Sequence, residues 1–118
     1  MHPRSPKLLD DIRDAAQFIR EVTAGRSLDQ YRSDRLLRQA VERSFEVIGE
    51  AAKRLAHHDP GTAALIGSYP QIIAFRNVLI HGDDLVDHAL VWNAVEPQLP
   101  ALLQAIEPLL SDPPKPRS

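Results

Sequence analysis

Apolar residues return at steps of three and four along most of this chain, and that periodicity decides what it can fold into. Leu8, Leu9, Ile12, Ala15, Ala16, Ile19 and Val22 form one such stripe. Leu37, Ala40, Val41, Ser44, Ile48, Ala51, Ala52 and Leu55 form another. Residues at these spacings share one side of an α-helix, whereas a half-buried strand alternates every second residue. No strand-like alternation of useful length occurs, and there is no internal repeat. The expected fold is all-α, an antiparallel helical bundle of four main helices with short extra turns.

Local signals punctuate the stripes. Ser5-Pro6 reads as a cap followed by proline in the first turn, and Gly25 stops the first helix. Ser27-Leu28-Asp29-Gln30 fits a capping box and starts a short helical turn through Tyr31. A long second helix begins at Ser33 or Asp34, and the small residues Ser44, Ala51 and Ala52 permit close helix–helix approach. Phe45 and Val47 widen its stripe, which predicts a second packing surface. His57-His58-Asp59-Pro60-Gly61 breaks the pattern, and Thr62 to Ile66 forms one short helix before Gly67. Ser68-Tyr69-Pro70 opens a helix from Gln71 to about His81, ending at Gly82. Asp87 caps the last helix, through Val91, Trp92, Val95, Leu99, Leu102, Leu103 and Ile106, with a kink or break expected at Pro97 and Pro100.

Composition narrows the function classes. A chain of 118 residues with 43% hydrophobic and 25% charged residues is expected to form one domain, over 1–110, followed by a proline-rich, mobile tail over 111–118. Without cysteine, disulfides, thiol catalysis and cysteine-ligated zinc are excluded. No signal-peptide run follows Met1 and no stretch of about 18 apolar residues occurs, so no membrane association and a cytoplasmic location are expected. A net charge of −2 argues against a surface that grips nucleic acid as a whole. Any RNA contact belongs to a local site.

The segment Phe75-Arg76-Asn77-Val78-Leu79-Ile80-His81-Gly82-Asp83-Asp84 carries the chemistry. Arg76, Asn77 and His81 are polar residues in an otherwise apolar helix, so they are either paired within the core or line a cleft. Asn77 and His81 share a face, while Arg76 and His81 stand about 140° apart on an ideal helix. Those two converge on one substrate only if the helix ends near His81 or a second copy brings its own pair alongside. An imidazole can take a proton from a ribose 2′-OH or give one to a 5′-O leaving group. An arginine can hold a phosphate by two parallel hydrogen bonds and stabilise a phosphorane. Asn77 could orient the imidazole or bind a phosphate oxygen. From residue types alone, a histidine at a helix C-terminus and an arginine paired with a carboxylate are the better-supported reading of the segment.

Arg76-Asn77-Val78-Leu79-Ile80-His81 resembles the catalytic signature of the HEPN superfamily, an arginine followed by four to six residues and a histidine. Glu46-Val47-Ile48-Gly49-Glu50-Ala51-Ala52-Lys53-Arg54-Leu55 is similar to the long central helix of its HepT-like members. Leu85-Val86-Asp87 and Val91-Trp92 are similar to their segment after the histidine, and the likeness runs from about Leu8 to Ile106. The resemblance implies a HEPN-like helical bundle that forms a homodimer with two Arg-His pairs across a shared cleft. It implies a metal-independent endoribonuclease without cofactor, acting as the toxin of a type II toxin–antitoxin pair, with RNA as substrate. The implied antitoxin is a minimal nucleotidyltransferase, which in some members adds AMP to a tyrosine. On this chain Arg76 would hold phosphate, His81 would be the acid/base and Asn77 the supporting polar residue. The tyrosine's place is taken by Asp83, leaving Tyr31 and Tyr69 as the only tyrosines, so steric blocking by a bound partner is the expected control. Asp83 and Asp84 would also bring negative charge to the cleft and favour protonated His81. A weak or inactive nuclease serving as a nucleotidyltransferase-binding partner is the alternative.

Other constellations have simpler readings. His57 and His58 are adjacent, point about 100° apart on a helix, and read as a helix end in solvent rather than metal ligands. Asp83, Asp84 and Asp87 read as a solvated loop with one cap, and Glu46 and Glu50 as partners of Arg43, Lys53 or Arg54. Trp92 reads as a core or interface anchor.

Overall fold

The computed structural model describes residues 1–81, 87–96 and 98–111. Within them lie seven helices and no strand: α1 (Ser5–Thr23), α2 (Leu28–Ser33), α3 (Arg35–His58), α4 (Pro60–Ile66), α5 (Tyr69–His81), α6 (His88–Val95) and α7 (Gln98–Ser111). Four are long, as the apolar periodicity predicts, and α2, α4 and α6 are short.

The 24 residues of α3 form the axis, with α1 packed along it on one side and α5 on another. Its two apolar stripes explain this. Val41, Ile48, Ala52 and Leu55 are fully or almost fully buried, and Leu9, Ile12, Ala16 and Ile19 of α1 belong to the same core. Phe45 extends that surface toward α5, where its ring meets Phe75 edge-on at 5.1 Å between centroids. The second packing surface expected from Phe45 is therefore occupied by α5. Leu99, Leu102, Leu103 and Ile106 of α7 complete the core.

The caps account for most boundaries. Ser27 and Gln30 form the reciprocal box at the start of α2, with Gln30 N–H donating to Ser27 Oγ and Ser27 N–H to Gln30 Oε1. Asp34 caps α3 by accepting from Leu37 N–H, and Asp87 caps α6 by accepting from Ala89 N–H. Gly67, at φ 76°, ends α4 in a conformation that side-chain-bearing residues resist.

Several expectations need correction. Ser5 is not a cap: it lies inside α1, is buried, and donates its hydroxyl to Asp59 Oδ2 at 2.8 Å. Asp59 also accepts from His2 N–H, Thr62 Oγ1–H and Thr62 N–H, so one carboxylate caps α4 and fastens the N-terminal segment to it. That cap starts α4 at Pro60 rather than Thr62. The last apolar stripe is two helices rather than one, with α6 ending before Glu96 and α7 beginning at Gln98, so the chain breaks in the expected place. Pro100 lies in the first turn of α7, where proline is tolerated. Val22 and Ala40 are half-buried rather than core residues. The expected tail lies outside the described residues except for Ser111, which ends α7. No single described helix is long and apolar enough to cross a membrane.

Candidate active site

The close crossing of α3 and α5 begins at Gly49. A methyl group built on Gly49 would stand 2.2 Å from Arg76 Cβ and 2.7 Å from Cγ, so the arginine stem occupies the space that any larger residue would fill. The glycine thus sets α5 against α3 at the height of Arg76. Its neighbour Glu50 meets the guanidinium: Arg76 Nη2 lies 2.7 Å from Glu50 Oε2. Nη1 donates to Asn77 Oδ1 at 3.2 Å, and Nε is buried without a hydrogen-bond partner.

A cleft of about 280 Å³ opens on this arginine between α1, α3 and α5. Arg43, Arg54 and Arg76 line it together with Asp11, Glu46 and Glu50. The charges are paired, Arg43 with Glu46, Arg54 and Arg76 both with Glu50, and Asp11 with Lys7 outside the lining. This pairing explains how a chain of near-neutral net charge holds three guanidinium groups in one depression.

The structure separates the two signature residues in character. Arg76 is mostly buried and faces α3, with a side-chain exposure of 20%. His81 is exposed and is the last residue of α5, close to the cleft-lining Ile80. Asn77 is exposed and serves Arg76 rather than His81. His81 is the last described residue of α5, and the expected helix end at Gly82 lies outside the described residues. Asp83 and Asp84 lie outside the described residues.

Of the two readings open for Arg76, pairing and cleft lining, both hold: it forms an ion pair and it lines the cleft. Glu46 and Glu50 do pair with Arg43 and Arg54 as their helical spacing predicts. The additional bridge from Glu50 to Arg76 crosses between helices, and no spacing rule within one helix could find it. A signal did exist in Gly49, because a glycine inside a long helix costs about 1 kcal/mol relative to alanine and so marks a close approach.

The tyrosines differ sharply. Tyr31 has no exposed surface and its hydroxyl lacks a partner. Burial pushes its phenol well above the usual range, with Glu42 acting in the same direction and Arg38 against it. Trp92 packs on it at 5.3 Å between ring centroids and is half-buried, a core anchor as its sequence context suggests. Tyr69 is half-buried at the start of α5. His57 and His58 end α3, with His58 stacked on His2 at 5.3 Å. Among the described residues, no three histidine or carboxylate side chains gather as a metal-binding group.

Comparison with known proteins agrees with this architecture. The model of the family described as Ribonuclease HepT-like matches residues 12–109. A protein of Thermococcus cleftensis described as a probable ribonuclease HepT is 30% identical over 101 residues, covering 86% of this chain and 91% of its own. A candidate RNase of Methanocaldococcus jannaschii is 29% identical over 110 residues, with 89% of this chain and 83% of its own covered. A candidate RNase of Caldanaerobacter subterraneus subsp. tengcongensis is 28% identical over 102 residues, covering 86% and 90%. No solved structure matches the chain. With the family model spanning helices α1 to α7 and both signature residues, the chain belongs to the HepT-like ribonuclease family.

Proposed function

We propose that this protein is a metal-independent endoribonuclease, the toxin of a type II toxin–antitoxin pair, and that it acts as a homodimer through Arg76 and His81. One observation carries the reading. A guanidinium that lines a cleft, Arg76, and an exposed imidazole, His81, lie on one helix. Family membership supports RNA as the substrate.

In this mechanism the 2′-oxygen of the ribose attacks the adjacent phosphorus while one His81 imidazole takes the 2′-hydroxyl proton. Arg76 holds the non-bridging oxygens and stabilises the charge that gathers on the phosphorane. The P–O5′ bond then breaks, and the 5′-oxygen receives a proton from a second imidazolium. A homodimer supplies that second group, since each chain carries one His81. Asn77 holds Arg76 by accepting from Nη1. Exposed apolar surface supports association: Val78, Ile80 and Leu90 are exposed, and Phe45, Ile72, Phe75 and Leu90 line a groove of about 420 Å³.

A nucleotidyltransferase antitoxin would act by covering the cleft. The burial of Tyr31 favours this steric control over AMP transfer, leaving half-buried Tyr69 as the tyrosine within reach of a modifying enzyme. The engagement of Arg76 by Glu50 favours a second reading, a weak or inactive member that serves as a helical partner of the nucleotidyltransferase.

The two readings part on one experiment. Purified protein is incubated with structured and unstructured RNA in EDTA beside His81→Ala and Arg76→Ala. The nuclease reading expects cleavage by the native chain that falls at least about 10²-fold in each variant. Absence of cleavage by a folded, dimeric native chain selects the partner-binding reading.

A further inference from the structure

The Glu50 carboxylate is shared between two arginines. Its Oε2 stands 2.7 Å from Arg76 Nη2, and its Oε1 stands 3.2 Å from Arg54 Nε. Each guanidinium therefore receives a single carboxylate oxygen. The Nε and Nη2 of an arginine form one edge, the edge that grips an oxyanion with two parallel hydrogen bonds. At Arg76 half of that edge is used, and the other half is the buried Nε without an acceptor. A buried donor left unmade costs about 1–3 kcal/mol. Two guanidinium groups thus share one carboxylate, and the donor edge of Arg76 is left partly unfilled.

We propose that Arg54 and Arg76 together form a phosphate-binding site for the RNA backbone, and that Glu50 occupies it in the free chain as an exchangeable counter-ion. This rests on the ribonuclease reading for the identity of the ligand. A phosphodiester presents two non-bridging oxygens and a full negative charge, so it can take the place of Glu50 between the two guanidinium groups, one oxygen toward Arg76 Nη2 and one toward Arg54. Arg54 is 64% exposed and free to follow it. Arg43 lies on the same face of α3, three turns before Arg54 or about 16 Å at 1.5 Å per residue, and extends the line of positive charge along the groove. Glu50 has two effects. It holds Arg76 in position before RNA arrives, and it opposes binding by competing for the same edge. The same residue therefore sets the occupancy of the site and the repulsion that a strand must overcome.

The test separates binding from cleavage. A fluorescent, single-stranded 2′-O-methyl oligoribonucleotide lacks the attacking hydroxyl, so its affinity can be read by anisotropy across a salt series. Arg54→Ala is expected to weaken binding about tenfold and to lower the slope of log affinity against log salt by somewhat less than one. Arg54→Lys, which keeps charge but lacks the fork, should recover only part of the affinity. Glu50→Gln should tighten binding several-fold and steepen the slope, because it removes the competing charge at unchanged size. With cleavable RNA, Arg54→Ala should raise KM at nearly constant kcat. Inorganic phosphate should displace the strand weakly, at millimolar levels, if the backbone is the ligand; displacement at micromolar levels would assign the site to a free phosphate compound instead. Unchanged affinity and slope in Arg54→Ala, or weaker binding in a folded Glu50→Gln, overturns the proposal. Retained cleavage with unchanged Arg54→Ala binding defeats this site alone, whereas the expected binding pattern without any cleavage defeats the nuclease reading and leaves the site standing.

Discussion

Helices α1 and α5 both pack on α3, yet they are used differently. On α1 the polar and apolar residues are segregated, and Leu9, Ile12, Ala16 and Ile19 are sealed into the core while charged residues face water. On α5 the apolar residues run all the way round, and only Leu79 is fully buried. Ile72, Ile73 and Phe75 are partly covered, and Val78 and Ile80 are exposed. A helix whose sole task is to complete a core resembles α1. The surplus apolar surface of α5, beside the ion-paired Arg76 and the terminal His81, marks a helix that is placed for contact as well as for stability.

The contrast is broken most severely by opening a cavity on the α1 side. Ile19→Ala removes a side chain with no exposed surface from the buried face of α1. The expected loss is about 2–5 kcal/mol in urea unfolding, enough to threaten folding of so small a domain. A loss below 1 kcal/mol would mean that α1 is no more tightly seated than α5.

Gly49→Ala attacks the seat of α5. Because the added methyl would meet Arg76 Cβ at 2.2 Å, and the backbone on either side cannot yield cheaply, α5 must move away from α3. A destabilisation of about 1–3 kcal/mol is expected despite the better helix propensity of alanine. RNA cleavage should fall by more than the loss of folded protein explains. Stability equal to or above that of the native chain would show that the crossing is looser than the contact distance requires.

The legibility of the sequence follows the same division. Segregated stripes made α1 and α3 readable in length, face and core residues, and the Ser27–Gln30 box and the Asp34 and Asp87 caps could be placed from residue type alone. The existence of α5 was readable too, but not its orientation, because a helix that is apolar on every side has no preferred inward face. Arg76 and His81 were visible as polar residues out of place, and the resemblance gave them roles. The partner of Arg76 was not visible. Glu50 is 26 positions away and belongs to another helix, so only the packing at Gly49 brings the two together. Asp59 escaped for a similar reason: in the sequence it is only part of a break between helices, whereas its bonds from His2 and Ser5 come from the far end of the chain.

That second tie gives a prediction of moderate size on the α1 side. Burial disfavours the charged form of Asp59, but hydrogen bonds from Thr62, His2 and Ser5 outweigh it and hold the carboxyl well below the usual carboxylate range. With a folded-state pKa depressed below the unfolded one, its contribution is present above about pH 4 and lost as the pH falls further. Asp59→Ala should cost about 1 kcal/mol at pH 7, and the difference from the native chain should shrink in urea titrations at pH 3. A difference that is constant with pH would assign the effect to packing rather than to the charged cap.

The smallest effect on the folded monomer is expected from Val78→Ser on α5. Val78 is 47% exposed, so about half of its surface stays in water on folding and the unfolding free energy at low concentration should change by no more than about 0.5 kcal/mol. If α5 offers its surplus surface to a second chain, the same substitution acts at that contact. The dimer dissociation constant, read by analytical ultracentrifugation over a concentration series, should then rise several-fold, and cleavage should fall at concentrations where the variant is monomeric and recover where it is dimeric. Such a pattern, with monomer stability untouched, would set α5 fully apart from α1, where a truncation of comparable size is paid entirely in folding energy. A loss of monomer stability comparable to that of Ile19→Ala would instead make α5 a second core helix and remove the physical reason for placing the partner chain there.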